Sequence, residues 1–336
     1  MSLQAANMSQ ICPKISLGIP VYNGKNYIEQ AICSILDQTY SDFEIIISDN
    51  ASDDGTEDIC RYYSVIDNRV RYFRNDTNIG AAKNFNRTVL LARGEFFKWA
   101  AHDDMLAPDY LKRCLQVLEN DESLILCFPK TILVDDCGHT IGRYEVSMKN
   151  ISSESPAIRF RDLVLINHWG IEIFGLFRKR VLVAGKLLSG YPGSDRTFMA
   201  ELSLIGRFYE IPEYLFFSRD HRERSTRIGT IHSRAGWWDT KNSGQTVFPQ
   251  WRLFIELTRC VNRVPLSGRE RRACYLCLLR WLPSNLNWAL MLMDLAVAVE
   301  PQSWERVRGL KRKISKKGKK ENVDTKNDLI SQNLKS

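Results

Sequence analysis

The first hundred residues alternate between short apolar runs and stretches with helical spacing. The apolar runs cover residues 15–19, 43–48, 70–73 and 96–100. The stretches between them, residues 27–36, 56–64 and 81–92, place apolar side chains three or four positions apart. This order predicts strands and helices in turn, and therefore a mainly parallel sheet with helices on both faces.

Polar side chains follow each predicted strand, at residues 20–23, 49–54, 75–78 and 102–104. In open α/β sheets, ligands collect beyond the carboxyl ends of the strands. We therefore expect these four loops to form one binding site.

Asp103 and Asp104 form an adjacent acidic pair directly after an apolar strand. Two carboxylates beside an apolar element are costly unless a cation neutralises them. Oxygen ligands of this kind favour Mg²⁺ or Mn²⁺, which accept one or two carboxylates and let substrate phosphates complete the shell. The alternative is that the pair only begins a turn before Pro108, since Asp is a common turn residue.

From residue 250 the pattern changes to long helices, at residues 251–263, 269–281 and 285–299. Their apolar residues are dense, and Arg269, Arg271, Arg272 and Arg280 lie among them. This combination permits helices lying on a membrane surface. Packing against the catalytic domain or a second subunit is the favoured interpretation, because apolar faces usually find protein partners.

Composition is that of a globular enzyme, with 44% hydrophobic and 26% charged residues in 336. Residues 311–320 supply seven of the 47 Lys and Arg residues, so much of the net charge of +8 belongs to the tail. We expect disorder there and no nucleic-acid partner. Nine scattered cysteines favour free thiols in a reducing cytoplasm. Cys274 and Cys277 are expected to pack in a core, because no second ligand pair accompanies them.

Four segments, found in order, resemble the motifs of family 2 glycosyltransferases with the GT-A fold. They are KISLGIPVYNG, FEIIISDNASDDGT, NIGAAKNFN and ARGEFFKWAAHDDMLAPDYL. The resemblance covers about residues 14–225. It implies a Rossmann-like fold for binding nucleoside-diphosphate sugars, a divalent metal, and inversion at the anomeric carbon of the donor.

By the same resemblance, the first three loops would bind the nucleotide sugar. Pro20, Tyr22 and Asn23 would line the nucleoside pocket, Asp49 and Asn50 would contact the base or ribose, and Asn78 would belong to the same site. The family often has a second Asp where Asn50 stands and an Arg where Phe85 stands.

The metal would be held at the fourth loop. Asp104 would bind the ion directly, and Asp103 would contact both ribose and ion. The family's DxDD form is incomplete, because Ala101 replaces its first acid. His221, in a segment that resembles the family's R-x-H loop, would complete the ligand shell of Mn²⁺ or Mg²⁺. Arg219, Arg222 and Arg224 would suit phosphate oxygens, or would form a solvated basic loop.

Asp195 matches the position of the family's catalytic base, at the start of a helix before the Gly206–Pro212 segment. One carboxylate that takes the acceptor hydroxyl's proton is sufficient for direct displacement. The alternative is that Asp195 only caps the helix, with Glu201 as the second candidate base. Trp237 and Trp238 either shape an acceptor site or close a core.

These inferences divide the chain into a catalytic domain at residues 13–230, a helical region at 231–308 and a basic tail at 309–336. The nucleotide-binding half of the catalytic domain would be residues 13–120, and the half with the base 121–230. We expect an inverting glycosyltransferase that moves a sugar, from a UDP-sugar by preference, to a glycan or lipid-linked acceptor in polysaccharide synthesis. It would act in the cytoplasm, with peripheral membrane contact and homo-oligomers through the carboxyl-terminal helices as further expectations. The alternatives are a sugar-nucleotide nucleotidyltransferase and a catalytically silent binding protein.

Overall fold

The computed structural model describes residues 12–146, 148–224, 227, 231–243 and 248–299. The strands are β1 Ile15–Val21, β2 Phe43–Asp49, β3 Val70–Arg74, β4 Phe96–Trp99, β5 Met105–Leu106, β6 Leu124–Val134, β7 Thr140–Tyr144, β8 Leu176–Arg178 and β9 Arg207–Arg219. The helices are α1 Ile28–Leu36, α2 Thr56–Ile66, α3 Ala81–Leu91, α4 Tyr110–Asn120, α5 Pro156–Leu165, α6 Lys179–Ala184, α7 Ser194–Ile205, α8 Ile231–Trp238, α9 Pro249–Arg263, α10 Gly268–Trp281 and α11 Asn287–Val299. The predicted basic tail lies outside these residues.

The nine strands form one sheet in the order β3-β2-β1-β4-β8-β6-β9-β5, and β7 pairs with β6. β3, β2, β1 and β4 are parallel neighbours, as the alternating pattern predicts. β8 runs antiparallel to both β4 and β6, whereas β6 and β9 are parallel. The predicted α/β fold is confirmed, with the parallel part in the first half of the sheet.

Helices cover the sheet on two faces, each with its own apolar core. On one face, Ile15 and Leu17 of β1 pack with Ile32 of α1. On the other face, Trp99 of β4 packs with Val89 of α3. All seven residues of β1 are buried, which explains why the strand has a continuous apolar run instead of an alternating one.

The carboxyl-terminal helices pack on the catalytic region through a third core. Cys274, Cys277 and Trp281 of α10 are buried in it, together with Phe160 of α5 and Leu204 of α7. The expected packing of both cysteines in a core is therefore confirmed, and all nine cysteines of the chain are free thiols.

Among the described residues, no single helix has the length and apolar composition needed to cross a bilayer. The pair Gly268–Trp281 and Ser284–Val299 meets these criteria only when taken together, and it is bent by 68°.

Glu44 lies near the amino end of β2, at the end of the strands opposite the polar loops, and accepts several hydrogen bonds there. Its side chain is almost fully buried and accepts hydrogen bonds from Ser16 Oγ at 2.7 Å, Arg71 at 2.7 Å and the Arg93 guanidinium at 3.0 Å. Burial raises the pKa of Glu44, but the hydrogen bonds from Ser16 and Arg71 outweigh it and leave the pKa below its usual range. One carboxylate therefore joins β1, β2, β3 and the loop after α3.

Glu44→Gln should lower the free energy of unfolding by about 2–4 kcal/mol at neutral pH, because it leaves two arginines without their shared anion. The lowered pKa gives stability that is present above the unfolded pKa of about 4.3 and is lost as pH falls through the folded pKa. Urea denaturation across this range should show the wild-type advantage shrinking in acid.

The control is Glu95→Gln, which removes an exposed ion pair with Lys14 and should cost about 0–1 kcal/mol. Equal effects of the two substitutions would contradict the role of Glu44.

Candidate active site

A cavity of about 720 Å³ lies beyond the carboxyl ends of the first four strands. This volume is within the range of sites for small ligands. Nine of the ten site residues predicted from sequence line it: Pro20, Tyr22, Asn23, Asn50, Asn78, Asp103, Asp104, Asp195 and His221. The structure therefore brings the four polar loops together, with the predicted base in the same cavity.

The first loop is fixed by Asn23, which adopts a left-handed backbone conformation with φ of 53°. Its backbone N–H donates to Ser52 Oγ at 2.9 Å, and its side-chain amide donates to Asp53 Oδ1 at 2.9 Å. Asn is one of the few residues that tolerate this conformation. Asn23 thus joins the loops after β1 and β2, while the neighbouring Tyr22 is exposed at the cavity.

Asp49 is the predicted residue that does not line the cavity. It is fully buried at the end of β2. Oδ1 accepts from Ser52 N–H at 2.9 Å, and Oδ2 accepts from the Tyr72 hydroxyl at 2.7 Å and from Arg74 at 2.8 Å. In this structure Asp49 holds the second loop in place, and its direct contact with base or ribose stays a prediction.

Four asparagines form a network behind the second and third loops, in which Asn75 donates to Asn50 Oδ1 at 3.0 Å and to Asn84 Oδ1 at 3.1 Å. The Asn50 amide donates to Asn78 Oδ1 at 2.8 Å, and Asn50 Oδ1 accepts from Ile79 N–H at 2.9 Å. Asn84 of α3 is buried and donates to the Ser48 carbonyl at 2.8 Å. Asn84 also lines the cavity, although its sequence position inside a helix gave no sign of this.

The acidic pair occupies the fourth loop and is largely buried. Burial and the neighbouring Asp103 charge raise the pKa of Asp104 above its usual range. Burial also raises the pKa of Asp103, but the charge of His102 and the hydrogen bond from His221 bring it below its usual range. The pair therefore holds less than two full negative charges, and a cation beside it would allow both carboxylates to ionise.

His221 completes this cluster from the loop after β9. Its Nε2 lies 2.7 Å from Asp103 Oδ2, and its ring packs against Tyr27 with centroids 4.7 Å apart. The Nδ1 atom is buried and has no hydrogen-bond partner among the described residues. Two carboxylates with an imidazole nitrogen lacking a partner form a donor set that suits Mn²⁺ and, less well, Mg²⁺. By the chemistry of their donor atoms, the residues present therefore fit the predicted metal.

Arg219 has a different role from the phosphate contact considered from sequence. It is fully buried, and its guanidinium donates to the carbonyls of Asp103 at 3.0 Å and Asp136 at 2.7 Å and to Gln30 Oε1 at 2.7 Å. Its backbone N–H donates to Asp104 Oδ1 at 2.8 Å. The phosphate role is therefore wrong for Arg219, because protein atoms already satisfy it. Arg224 does line the cavity.

Asp103, Asp104 and His221 do not bring their ligand atoms all within 4.8 Å of one another. Among the described residues, the one group of three side chains that meets this spacing is Asp135, Cys137 and His139. It lies in the exposed turn between β6 and β7, and Asp135 Oδ1 already accepts from two backbone N–H groups of that turn. Turn formation accounts for this cluster.

Asp195 is the second residue of α7, and Gly193, with φ of 87°, occupies the N-cap position. The alternative in which Asp195 caps the helix is therefore wrong. Its Oδ1 accepts from Arg196 N–H at 2.9 Å, and burial raises its pKa. Glu201, the second candidate base, is buried against α9 and paired with Arg263. It does not line the main cavity.

Trp237 and Trp238 pack edge to face, with ring centroids 5.1 Å apart, and both line the cavity. Their segment folds back over Gly80, where an added Cβ would lie 2.8 Å from the Trp238 carbonyl oxygen. Glycine at this position, with φ of 84°, therefore permits α8 to close one side of the cavity. This places part of the predicted helical region in the site.

Comparison with known proteins gives a family match over residues 16–172, to the model described as glycosyl transferase family 2. An uncharacterised glycosyltransferase of Rickettsia felis is 34% identical over 39% of this chain and 21% of its own length. One of Haemophilus influenzae is 26% identical over 65% of this chain and 68% of its own. The putative teichuronic acid biosynthesis glycosyltransferase TuaG of Bacillus subtilis is 36% identical over 32% of this chain and 42% of its own. The chain thus spans a fifth to two fifths of the length of several of these relatives.

Two solved structures share the fold at 16% identity. Residues 1–349 of TarS from S. aureus, in complex with UDP-GlcNAc, superpose with a TM-score of 0.56 over 80% of this chain and 72% of that chain. The mannosyltransferase PcManGT from Pyrobaculum calidifontis, in complex with GDP-Man and Mn²⁺, gives a TM-score of 0.50 over 90% and 80%. Residues 16–172 therefore match glycosyl transferase family 2, and the chain as a whole shares the fold of these two solved structures.

Proposed function

We propose that this protein is an inverting, metal-dependent glycosyltransferase that uses a UDP-sugar and glycosylates a hydroxyl of a glycan or lipid-linked acceptor. The observation that carries the proposal is the presence, in one cavity, of a donor set suited to a cation and of a separate, half-buried carboxylate. Asp103, Asp104 and His221 form the first, and Asp195 is the second. Such a cavity has the groups needed to bind a nucleotide diphosphate and to deprotonate an acceptor.

Asp104, Asp103 and His221 would hold Mn²⁺ or Mg²⁺ against the donor diphosphate. The ion would stabilise the charge that develops on the leaving nucleoside diphosphate. The Mn²⁺ complex of PcManGT supports the same choice of cofactor. Arg224 extends the positive charge of this part of the cavity.

Asp195 would accept the proton of the acceptor hydroxyl. As it does so, the hydroxyl oxygen bonds to the anomeric carbon from the face opposite the diphosphate, and the bond from carbon to diphosphate oxygen breaks. The raised pKa of Asp195 suits a base that must take up a proton near neutral pH. Because no carboxylate forms a bond to the sugar, the anomeric configuration inverts.

The fold alone does not indicate which nucleobase the donor carries, since the two structural neighbours are in complex with UDP-GlcNAc and GDP-Man. Uridine is our proposal from the sequence motifs. The similarity to TuaG, named for teichuronic acid biosynthesis, supports an acceptor in a cell-surface polysaccharide. The nucleotidyltransferase alternative would instead release pyrophosphate from a nucleoside triphosphate and a sugar phosphate.

Asp104→Asn should reduce sugar transfer, or donor hydrolysis, by about 10²-fold or more, because it removes an anionic metal ligand without changing shape. Mn²⁺ affinity in the presence of UDP, followed by electron paramagnetic resonance, should fall in parallel. A panel of UDP-, GDP- and dTDP-sugars provides the donors.

The matched control is Asp109→Asn, which changes an exposed residue outside the cavity and should leave both values unchanged. Wild-type protein that turns over none of these donors, or an Asp104→Asn variant with unchanged activity, would contradict the proposal.

Asp195→Asn should lower the transfer rate by about 10²- to 10⁴-fold while leaving the UDP dissociation constant near the wild-type value. In the wild type, the rate should fall in acid with a midpoint above about 3.9, the usual pKa of Asp, because the base must be deprotonated. Steady-state rates across pH measure both effects.

Asp58→Asn is the control, since Asp58 also lies in the first turn of a helix, α2, but is exposed. Equal loss of activity in the two variants would mean that Asp195 acts only on its helix.

We also propose a cytoplasmic location on the inner face of the membrane, with α10 and α11 touching anionic lipid. Large apolar side chains are exposed on both helices, including Leu276 and Leu279 of α10 and Trp288 and Leu292 of α11. Spaced three or four residues apart within each helix, they form an apolar stripe on it.

The charges on this segment match an anionic surface. Arg269, Arg272 and Arg280 are exposed. The two acids of residues 264–299 are occupied elsewhere, since Glu270 accepts from Ser155 and Asp294 accepts from Gln250 N–H. An apolar stripe flanked only by exposed cations favours anionic lipid over neutral lipid or protein.

The double variant Leu276→Glu with Leu279→Glu should bind vesicles of phosphatidylcholine and phosphatidylglycerol at least about tenfold more weakly than wild type. Co-sedimentation measures this, with Leu90→Glu, an exposed apolar residue of α3, as the control. Failure of the wild-type protein to bind these vesicles would contradict lipid contact. A wild-type dimer that the double variant dissociates would also contradict it and would favour a second copy of the chain as the partner.

A further inference from the structure

Trp169 is an exposed aromatic residue at the cavity whose position the proposed reaction does not yet explain. Its side chain is 58% exposed, and it lines the same cavity as Asp195. Leaving a tryptophan in water forgoes a large gain from burial. Such a residue beside a reaction site is a candidate for ligand contact.

Although the Trp169 side chain is exposed, its backbone segment is fixed by hydrogen bonds to two other parts of the chain. Trp169 N–H donates to the Tyr144 hydroxyl at 2.7 Å, and Arg196 donates to the carbonyl of the preceding residue, His168, at 3.1 Å. His168 itself is buried, with its ring nitrogens 3.2 Å from Glu172 and 3.1 Å from the Leu163 carbonyl. The indole is therefore presented at a fixed place.

The Tyr144 ring supports one face of the indole. The two ring centroids are 4.9 Å apart, and the ring planes are inclined by 31°. Because Tyr144 covers one side, the exposed part of Trp169 is the opposite face and its edge. A supported indole with one face available is a flat apolar platform.

This platform adjoins the proposed base. Gly170, the next residue, has φ of 77°, and a Cβ built on it would lie 3.8 Å from Asp195 Oδ2. Glycine at this position allows the backbone to come close to the carboxylate without a side chain between them. Arg196, which follows Asp195, fastens the same segment. The indole and the proton acceptor are therefore held by one set of contacts.

We propose that Trp169 is the acceptor platform, on which a hexopyranose stacks with the face that carries its C–H groups. Stacking there would present a ring hydroxyl to Asp195. The asparagine network for the nucleotide lies on other loops, which leaves this platform to the second substrate. This inference rests on the proposed transferase function and adds to it the chemical class of the acceptor group.

The test uses octyl β-glycosides of glucose, galactose and N-acetylglucosamine as acceptor probes with the full-length protein. Trp169→Ala should raise the acceptor KM by about 3- to 10-fold, with the UDP dissociation constant and donor hydrolysis unchanged. Trp169→Phe, which keeps an aromatic face, should restore most of the affinity. Tyr62→Ala, a substitution of an aromatic residue on α2 that is also 58% exposed, is the control and should change nothing.

Saturation-transfer NMR provides a measurement that needs no turnover. Signals from the ring C–H protons of at least one glycoside should appear with wild type and disappear with Trp169→Ala. No signal with any of the three glycosides, or an unchanged acceptor KM in Trp169→Ala, would overturn the platform. A change in UDP affinity alone would also overturn it and would assign Trp169 to the donor. If the proposed transferase function is itself wrong, the result is different, because the wild-type protein would then neither hydrolyse nor transfer any donor sugar.

Discussion

The buried guanidinium of Arg219 is the interaction on which the arrangement of the candidate site depends. It joins the end of β9 to the carbonyls of Asp103, Asp135 and Asp136, and its plane lies over the Tyr27 ring at 4.8 Å. One side chain thus donates to backbone carbonyls of two separate loops. Because these contacts join the end of β9 to three other segments, the acidic loop and the His221 loop are held together before any ligand binds.

The second constraint is the charge of the acidic pair that Arg219 positions. Asp103 shares its charge with His221 at 2.7 Å, and Asp104 receives the Arg219 N–H. The two adjacent carboxylates still repel each other, as the raised pKa of Asp104 beside the Asp103 charge indicates. A divalent ion would remove that repulsion, which is why the same residues that destabilise one another in isolation suit a metal-dependent enzyme. Structural stability is supplied from the other edge of the sheet, by Glu44 and its two arginines.

The sequence was sufficient to predict the parallel half of the sheet, because β1, β2, β3 and β4 are continuous apolar runs with turn residues at their ends. It was also sufficient to bring Asp103, Asp104 and Asp195 into one site, through family motifs. It misassigned Arg219 and did not show that Asp49 is engaged by Tyr72 and Arg74. These outcomes depend on contacts between segments far apart in the chain, and local pattern carries no information about them. For the same reason the sequence did not identify Trp169, since its proposed role depends on the positions of Tyr144 and Asp195 beside it.

The central claim is that Asp104, Asp103 and His221 bind a divalent ion with the donor diphosphate. Crystals grown with UDP and Mn²⁺ test it most directly, by anomalous scattering at the manganese edge. The account predicts one strong peak within ligand distance of Asp104 and His221, adjacent to the UDP phosphates. A map with UDP bound and no peak there, or with manganese only at the Asp135–Cys137–His139 turn, would contradict it.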